Sequence, residues 1–161
     1  MFNIKNSLKL AILFLLFSYT YYFLEILYDG RSHWTMFVCG GLSGIFGHLL
    51  VQAIPEMPIL EKSLLITLMI LALEYISGYF VNIQMGLQVW DYSALPLNID
   101  GQICFRFALL WFVVFSPFIV WISDEIGYLM YGEAKPMPLW HAYKRLGKDL
   151  LSLFLRRRKA F

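Results

Sequence analysis

Three ionisable residues stand inside or at the edge of long apolar runs: Glu25, Glu74 and Arg106. A charge at mid-bilayer costs about 2.5–3.5 kcal/mol on insertion scales, so each of the three has to meet a partner or water. Arginine presents a planar fork of donors that matches a carboxylate, which makes Arg106 a candidate bridge to one or both glutamates. At 1.5 Å per helical residue, Glu25 and Arg106 fall about 9 Å from their span centres and Glu74 about 3 Å, all on the same side. Such a set can be an ion pair that fixes helix register. It can equally line a polar pocket open to that side, or Glu25 can simply sit among headgroups. Asp91, in the neighbouring loop, is a candidate cap for the pocket or an ordinary turn aspartate.

Other residue types carry less chemistry. Gly40 and Gly44 form a GxxxG pattern, and Ser43 and Gly47 a second pair of small residues at the same spacing. Small residues let another helix approach closely, from within the chain or from a second copy. A phosphate-cradling loop is excluded, because no Lys-Ser/Thr follows the glycines. His48 reads as a hydrogen-bonded core histidine in preference to a metal or haem ligand, and His33 and His141 read as interfacial. Cys39 and Cys104 fit free buried thiols better than a disulfide. No Cys/His spacing makes a metal site, and there is no nucleophile elbow, HExxH or nucleotide-binding motif. No metal and no cofactor is therefore expected.

The elements that must position these residues follow from composition. The 161 residues are 60% hydrophobic and 15% charged, with a net charge of +2. Soluble domains carry about 25% charged residues, so a cytosolic globule is excluded, and disorder is excluded by the hydrophobicity. At about 20 residues per crossing, four spans fit: Leu10–Tyr28, Trp34–Ile54, Ser63–Val81 and Ile103–Ile122. The first run is too long for a signal peptide's apolar region and lacks a cleavage site. Pro55 and Pro58 stop the second run, and Pro117 is a candidate kink in the fourth. Backbone groups in lipid must pair within their own segment, so the spans are helices. Residues 82–102 read as a loop with a possible fold-back. Ile126–Tyr131 is too short to cross and extends the fourth helix.

Leu139, Tyr143, Leu146, Leu150 and Phe154 recur at helical spacing beyond that. Lys144, Arg145, Lys148, Arg156, Arg157, Arg158 and Lys159 make this segment a basic amphipathic helix suited to anionic headgroups. The expected fold is all-α, an integral membrane four-helix bundle with a C-terminal amphipathic interfacial helix. Residues 1–132 form the membrane domain and 133–161 a cytoplasmic tail. The Lys/Arg bias places both ends in the cytoplasm and the Lys/Arg-free loop 82–102 outside.

The stretch Leu73-Glu74-Tyr75-Ile76-Ser77-Gly78-Tyr79, then Trp90-Asp91-Tyr92-Ser93, Pro96-Leu97-Asn98-Ile99-Asp100-Gly101 and Ile103-Cys104-Phe105 resembles a bacterial family described as putative ABC-transporter type IV. Trp111 matches that family's central tryptophan, Tyr19–Glu25 its aromatic helix ending in Glu, and Gly40–Gly47 its glycine-rich helix. Where the family tends to carry a basic residue after Asn-x-x-Gly, this chain has Gln102, and its arginine comes at Arg106. The resemblance implies a bacterial cytoplasmic-membrane protein and adds Tyr92 and Asn98 to the candidate pocket of Glu25, Glu74, Asp91 and Arg106. It implies transport without naming a substrate, and ABC-type transport would need a separate nucleotide-binding subunit.

Three functions remain open: a small permease-like component, a non-catalytic scaffold or regulatory subunit, and a membrane enzyme acting on lipid-linked substrates. The enzyme is the least favoured. Expected partners are the bilayer, anionic headgroups, and a second copy or a separate subunit; nucleic acid is not among them.

Overall fold

The computed structural model describes residues 4–158. Lys159 lies outside the described residues, as do the side chains of Arg156, Arg157 and Arg158. The chain is all-α apart from two very short strands. Helix α1 spans Ile4–Asp29 and α2 Trp34–Ala53. Helix α3 spans Ile59–Gln84, its last part, Tyr79–Gln84, wound as a π-helix. Strands β1 (Asn98–Ile99) and β2 (Ile103–Cys104) pair antiparallel. Helix α4 spans Phe105–Tyr131 with a π-helical turn at Trp111–Phe115, and α5 spans Leu139–Arg158. Helices α1 to α4 are long and apolar enough to cross a membrane.

Local chemistry sets the boundaries. At the start of α2 the His33 side chain accepts the Thr35 N–H, and the helix stops as Pro55 approaches, since the residue before a proline is pushed out of the helical region. Helix α4 ends where Gly132 takes a left-handed conformation at φ +68°, a conformation that glycine adopts without steric cost.

Two expected limits need correction. The third helix starts at Ile59, not Ser63, so Glu61 and Lys62 are helical; Lys62 is buried and donates to the Pro55 carbonyl at 2.7 Å. The fourth starts at Phe105, because residues 103–104 belong to β2; it runs on to Tyr131, as expected. At Pro117 the missing N–H is accommodated by the π-turn just before it, where the Ser116 N–H reaches the Trp111 carbonyl.

Helix α3 packs between α2 and α4, and α1 lies along α2. A Cβ at Gly40 would stand 2.6 Å from the Tyr21 Cβ and 2.8 Å from the Phe17 carbonyl oxygen, and one at Gly44 would collide with the Phe17 ring. Gly47 gives the same close approach to Ile119 of α4. Leu13 and Phe17 of α1 join Val51, Ile66, Ile70, Trp111 and Ile119 in the core. Helix α5 folds back on α3 and α4, with Leu146 buried and the Tyr143 hydroxyl donating to the Val114 carbonyl at 2.8 Å.

Candidate functional site: a carboxylate held by neutral donors

Glu74 is 3% exposed. One carboxylate oxygen accepts the Tyr21 hydroxyl of α1 at 3.0 Å, the other the Trp111 Nε1–H of α4 at 3.1 Å. Three helices therefore converge on one side chain. Gly40 creates the space that seats Tyr21. Trp111 opens the π-turn, where one extra residue per turn re-aims the ring relative to an α-helix. The Tyr21 and Trp111 rings lie 5.5 Å apart at 34°, closing the centre with aromatic surface. The cavity that touches both rings holds about 20 Å³, room for roughly one water.

Around this centre, the Ser77 hydroxyl bonds the Leu73 carbonyl at 2.7 Å and lies 3.3 Å from the Cys39 thiol. Cys39 and Cys104 are both free. Half-buried Glu25 accepts the Ser32 hydroxyl. Tyr92 enters from the loop, stacked on Phe107 at 4.8 Å. Burial raises its hydroxyl pKa above the usual tyrosine range, and the nearby charges of Glu74 and Glu25 raise it further.

The loop itself is a clamp. Asp100 and Gly101 have φ of +50° and +67°, and the Gln102 N–H returns to the Ile99 carbonyl at 2.9 Å. That is the Asp-Gly turn of a tight hairpin. Gln102, 4% exposed, holds the hairpin on the end of α3: its amide accepts from Asn82 and donates to the Asp100 carbonyl, each at 2.8 Å. Trp90 Nε1–H donates to the Gln102 backbone carbonyl at 3.0 Å. Gly78 sits directly beneath, where a Cβ would strike the Gln102 side chain and come within 2.8 Å of the Trp90 ring.

The expected charge cluster is not what these residues build. Arg106 is exposed on the first turn of α4 and bridges neither glutamate; the donors at Glu74 are a phenol and an indole. Asp91 is exposed, and its carboxylate is occupied by the Ser93 N–H and hydroxyl at 2.8 and 2.9 Å, so it caps a turn and no pocket. Asn98 braces the loop, donating to the Ser93 and Leu95 carbonyls and accepting from the Gly101 N–H. Among the loop residues, Tyr92 lies near enough for the charges of both glutamates to act on its hydroxyl. Sequence reasoning missed Tyr21 and Gln102. A partial signal for Tyr21 is Gly40, which marks close approach of a facing helix.

At the opposite end, His48 shares a 2.6 Å hydrogen bond with Ser123 inside the bundle. Lys144, Arg145 and Lys148 are exposed on α5, with the Lys144 ammonium 5.0 Å above the Trp140 ring. Among the described residues, no cluster of His, Cys, Asp and Glu could hold a metal ion.

No curated protein and no solved structure matches the chain. A family model described as Putative ABC-transporter type IV matches residues 12–139, four-fifths of the sequence. With four helices able to cross a bilayer, the chain is an integral membrane protein and belongs to the Putative ABC-transporter type IV family.

Proposed function

We propose that the chain is a permease-like transport component in which Glu74 is the ion-handling group. The observation behind this is its placement: a carboxylate within about 4 Å of the middle of a 26-residue apolar helix, bonded by two neutral donors. A carboxylate offers about four acceptor positions. Two are filled, and the others are available to a proton or a small cation. Ionisable groups in such places commonly belong to ion and proton pathways. In this reading the ion would pass by Glu25 and Tyr92, both of which act electrostatically on the same centre.

Both chain ends face the cytoplasm in this reading, the hairpin faces outward, and the basic helix α5 lies in the interface against anionic headgroups. Four helices are few for a complete pathway, so a second copy or a separate subunit completes it. The close packing at Glu74 favours a second reading, a scaffold or regulatory subunit in which the carboxylate is only a structural node.

Proton flux separates the two readings. Purified protein in liposomes under an imposed potassium-diffusion potential should acidify or alkalinise the lumen above empty vesicles, and Glu74→Gln should cut that rate at least tenfold. Equal rates, or no flux in either, would leave the structural node as the better account.

A further inference from the structure

Where α2 and α3 meet, the 54–58 turn, the α4 segment around Asp124 and the start of α5 enclose a cleft of about 600 Å³. That is the size of a small-molecule site. Glu74 is not among its lining residues and stands about 18 Å further along α3 than Lys62.

Its lining is unusual in charge. Lys62 is 8% exposed, and its ammonium, with three donors, makes one hydrogen bond, to the Pro55 carbonyl at 2.7 Å. Asp124 and Glu56 are close enough to influence its charge, yet neither closes an ion pair with it. A buried ammonium with unused donors is costly unless something supplies acceptors. His141, also on the wall, has a buried Nδ1 with no hydrogen-bond partner. Arg145 adds a second cation, while Glu56, Asp124 and Asp149 face them as acceptors. Val120, Trp121 and Met137 supply an apolar flank.

We infer that this cleft binds a phosphoethanolamine group: a phosphate held by Lys62 and Arg145, joined to a primary ammonium held by Asp124 and its neighbouring carboxylates. An anion alone would leave three carboxylates facing it. A cation alone would leave Lys62 unsatisfied. A quaternary amine would call for an aromatic cage, and among the described Phe, Tyr and Trp residues Trp121 alone lines this cleft. The cleft lies beside the turn between α2 and α3, two helices able to cross a membrane, so a phosphatidylethanolamine lipid and a free glycerophosphoethanolamine are its two sources to distinguish.

The full chain in detergent is titrated with phosphatidylethanolamine, phosphatidylglycerol and phosphatidylcholine, reading bound lipid by native mass spectrometry and Tm by intrinsic fluorescence. Phosphatidylethanolamine should bind at least tenfold tighter than the other two and raise Tm. Lys62→Met should weaken it at least tenfold. Arg145→Gln and Asp124→Asn, both at exposed positions that leave folding intact, should each weaken it several-fold. Asp124→Asn should also narrow the preference over phosphatidylglycerol, because it removes the ammonium's partner. If glycerophosphoethanolamine displaces the lipid, the headgroup alone carries recognition; if it does not, the lipid is the ligand. Equal binding of all three lipids, or binding untouched by Arg145→Gln and Asp124→Asn, overturns the assignment.

Discussion

The two halves of the bundle handle charge in opposite ways. At the loop end, one carboxylate is sealed by a phenol and an indole, with about 20 Å³ of free space beside them. At the tail end, six charged or titratable side chains line an open cleft of about 600 Å³ and leave donors unused. A satisfied buried group adds rigidity, and removing any partner strands the rest. An unsatisfied buried group costs the fold stability and is available to a ligand. Substitutions at the loop end should therefore reduce stability, and substitutions at the tail end should reduce binding while stability holds.

The largest effect tests the sealed end. Trp111→Ala removes a ring that is 5% exposed and packed on Tyr21 and Phe115, together with one donor to Glu74. Truncating a buried tryptophan costs about 3–5 kcal/mol. Unfolding free energy measured in mild detergent should fall by that amount, and Trp111→Phe should recover the packing but not the hydrogen bond. Arg145→Gln, in the tail cleft, should stay within about 0.5 kcal/mol of the native chain, as surface changes do. Comparable losses in the two would erase the contrast between the ends.

A middle-sized effect asks whether close approach seats Tyr21. In Gly40→Ala the new methyl meets the Tyr21 Cβ at 2.6 Å and the Phe17 carbonyl at 2.8 Å, and neither is a flexible side-chain tip that can move aside. Overpacking of this kind costs about 1–3 kcal/mol. Helix α1 should separate from α2, and protection of α1 amides from hydrogen exchange should fall before that of α3. Uniform loss across both helices would mean that Gly40 does not set this contact.

Much of this was legible beforehand, and the reasons differ by residue. The spans were readable because lipid demands long apolar helices whatever the fold. Glu74 stood out because charge in such a run is costly. Its partners did not, because a phenol and an indole in an aromatic-rich sequence look like packing residues until a facing helix is placed. Arg106 misled for the converse reason: a guanidinium near a carboxylate suggests a pair, but two residues at the start of the fourth run belong to a strand. That moved the helix start to Phe105 and left Arg106 on the exposed first turn. Gln102 was invisible, since its role depends on a hairpin folding back over Gly78. Lys62 falls just before the apolar run that starts at Ser63, yet α3 begins at Ile59, directly after Pro58.

The smallest effect concerns Tyr92, the loop residue on which the charges of Glu74 and Glu25 act. Its hydroxyl is held protonated above the ordinary tyrosine pKa of about 10, first by burial and then by the two carboxylates. The unfolded chain loses that proton near pH 10, while the folded chain keeps it to higher pH. The folded state thus binds more protons in that range, so this residue's share of stability is intact below about pH 10 and is lost as pH rises beyond it. Tyr92→Phe removes the titrating hydroxyl while keeping the stack on Phe107. Unfolding free energies compared at neutral and strongly alkaline pH should show a shallower alkaline decline in the variant, by at most one proton or about 1.4 kcal/mol per pH unit. The other tyrosines titrate in both proteins and cancel in the comparison. Identical slopes would place Tyr92 in solvent, and the sealed end of the bundle would then be open to water through its loop.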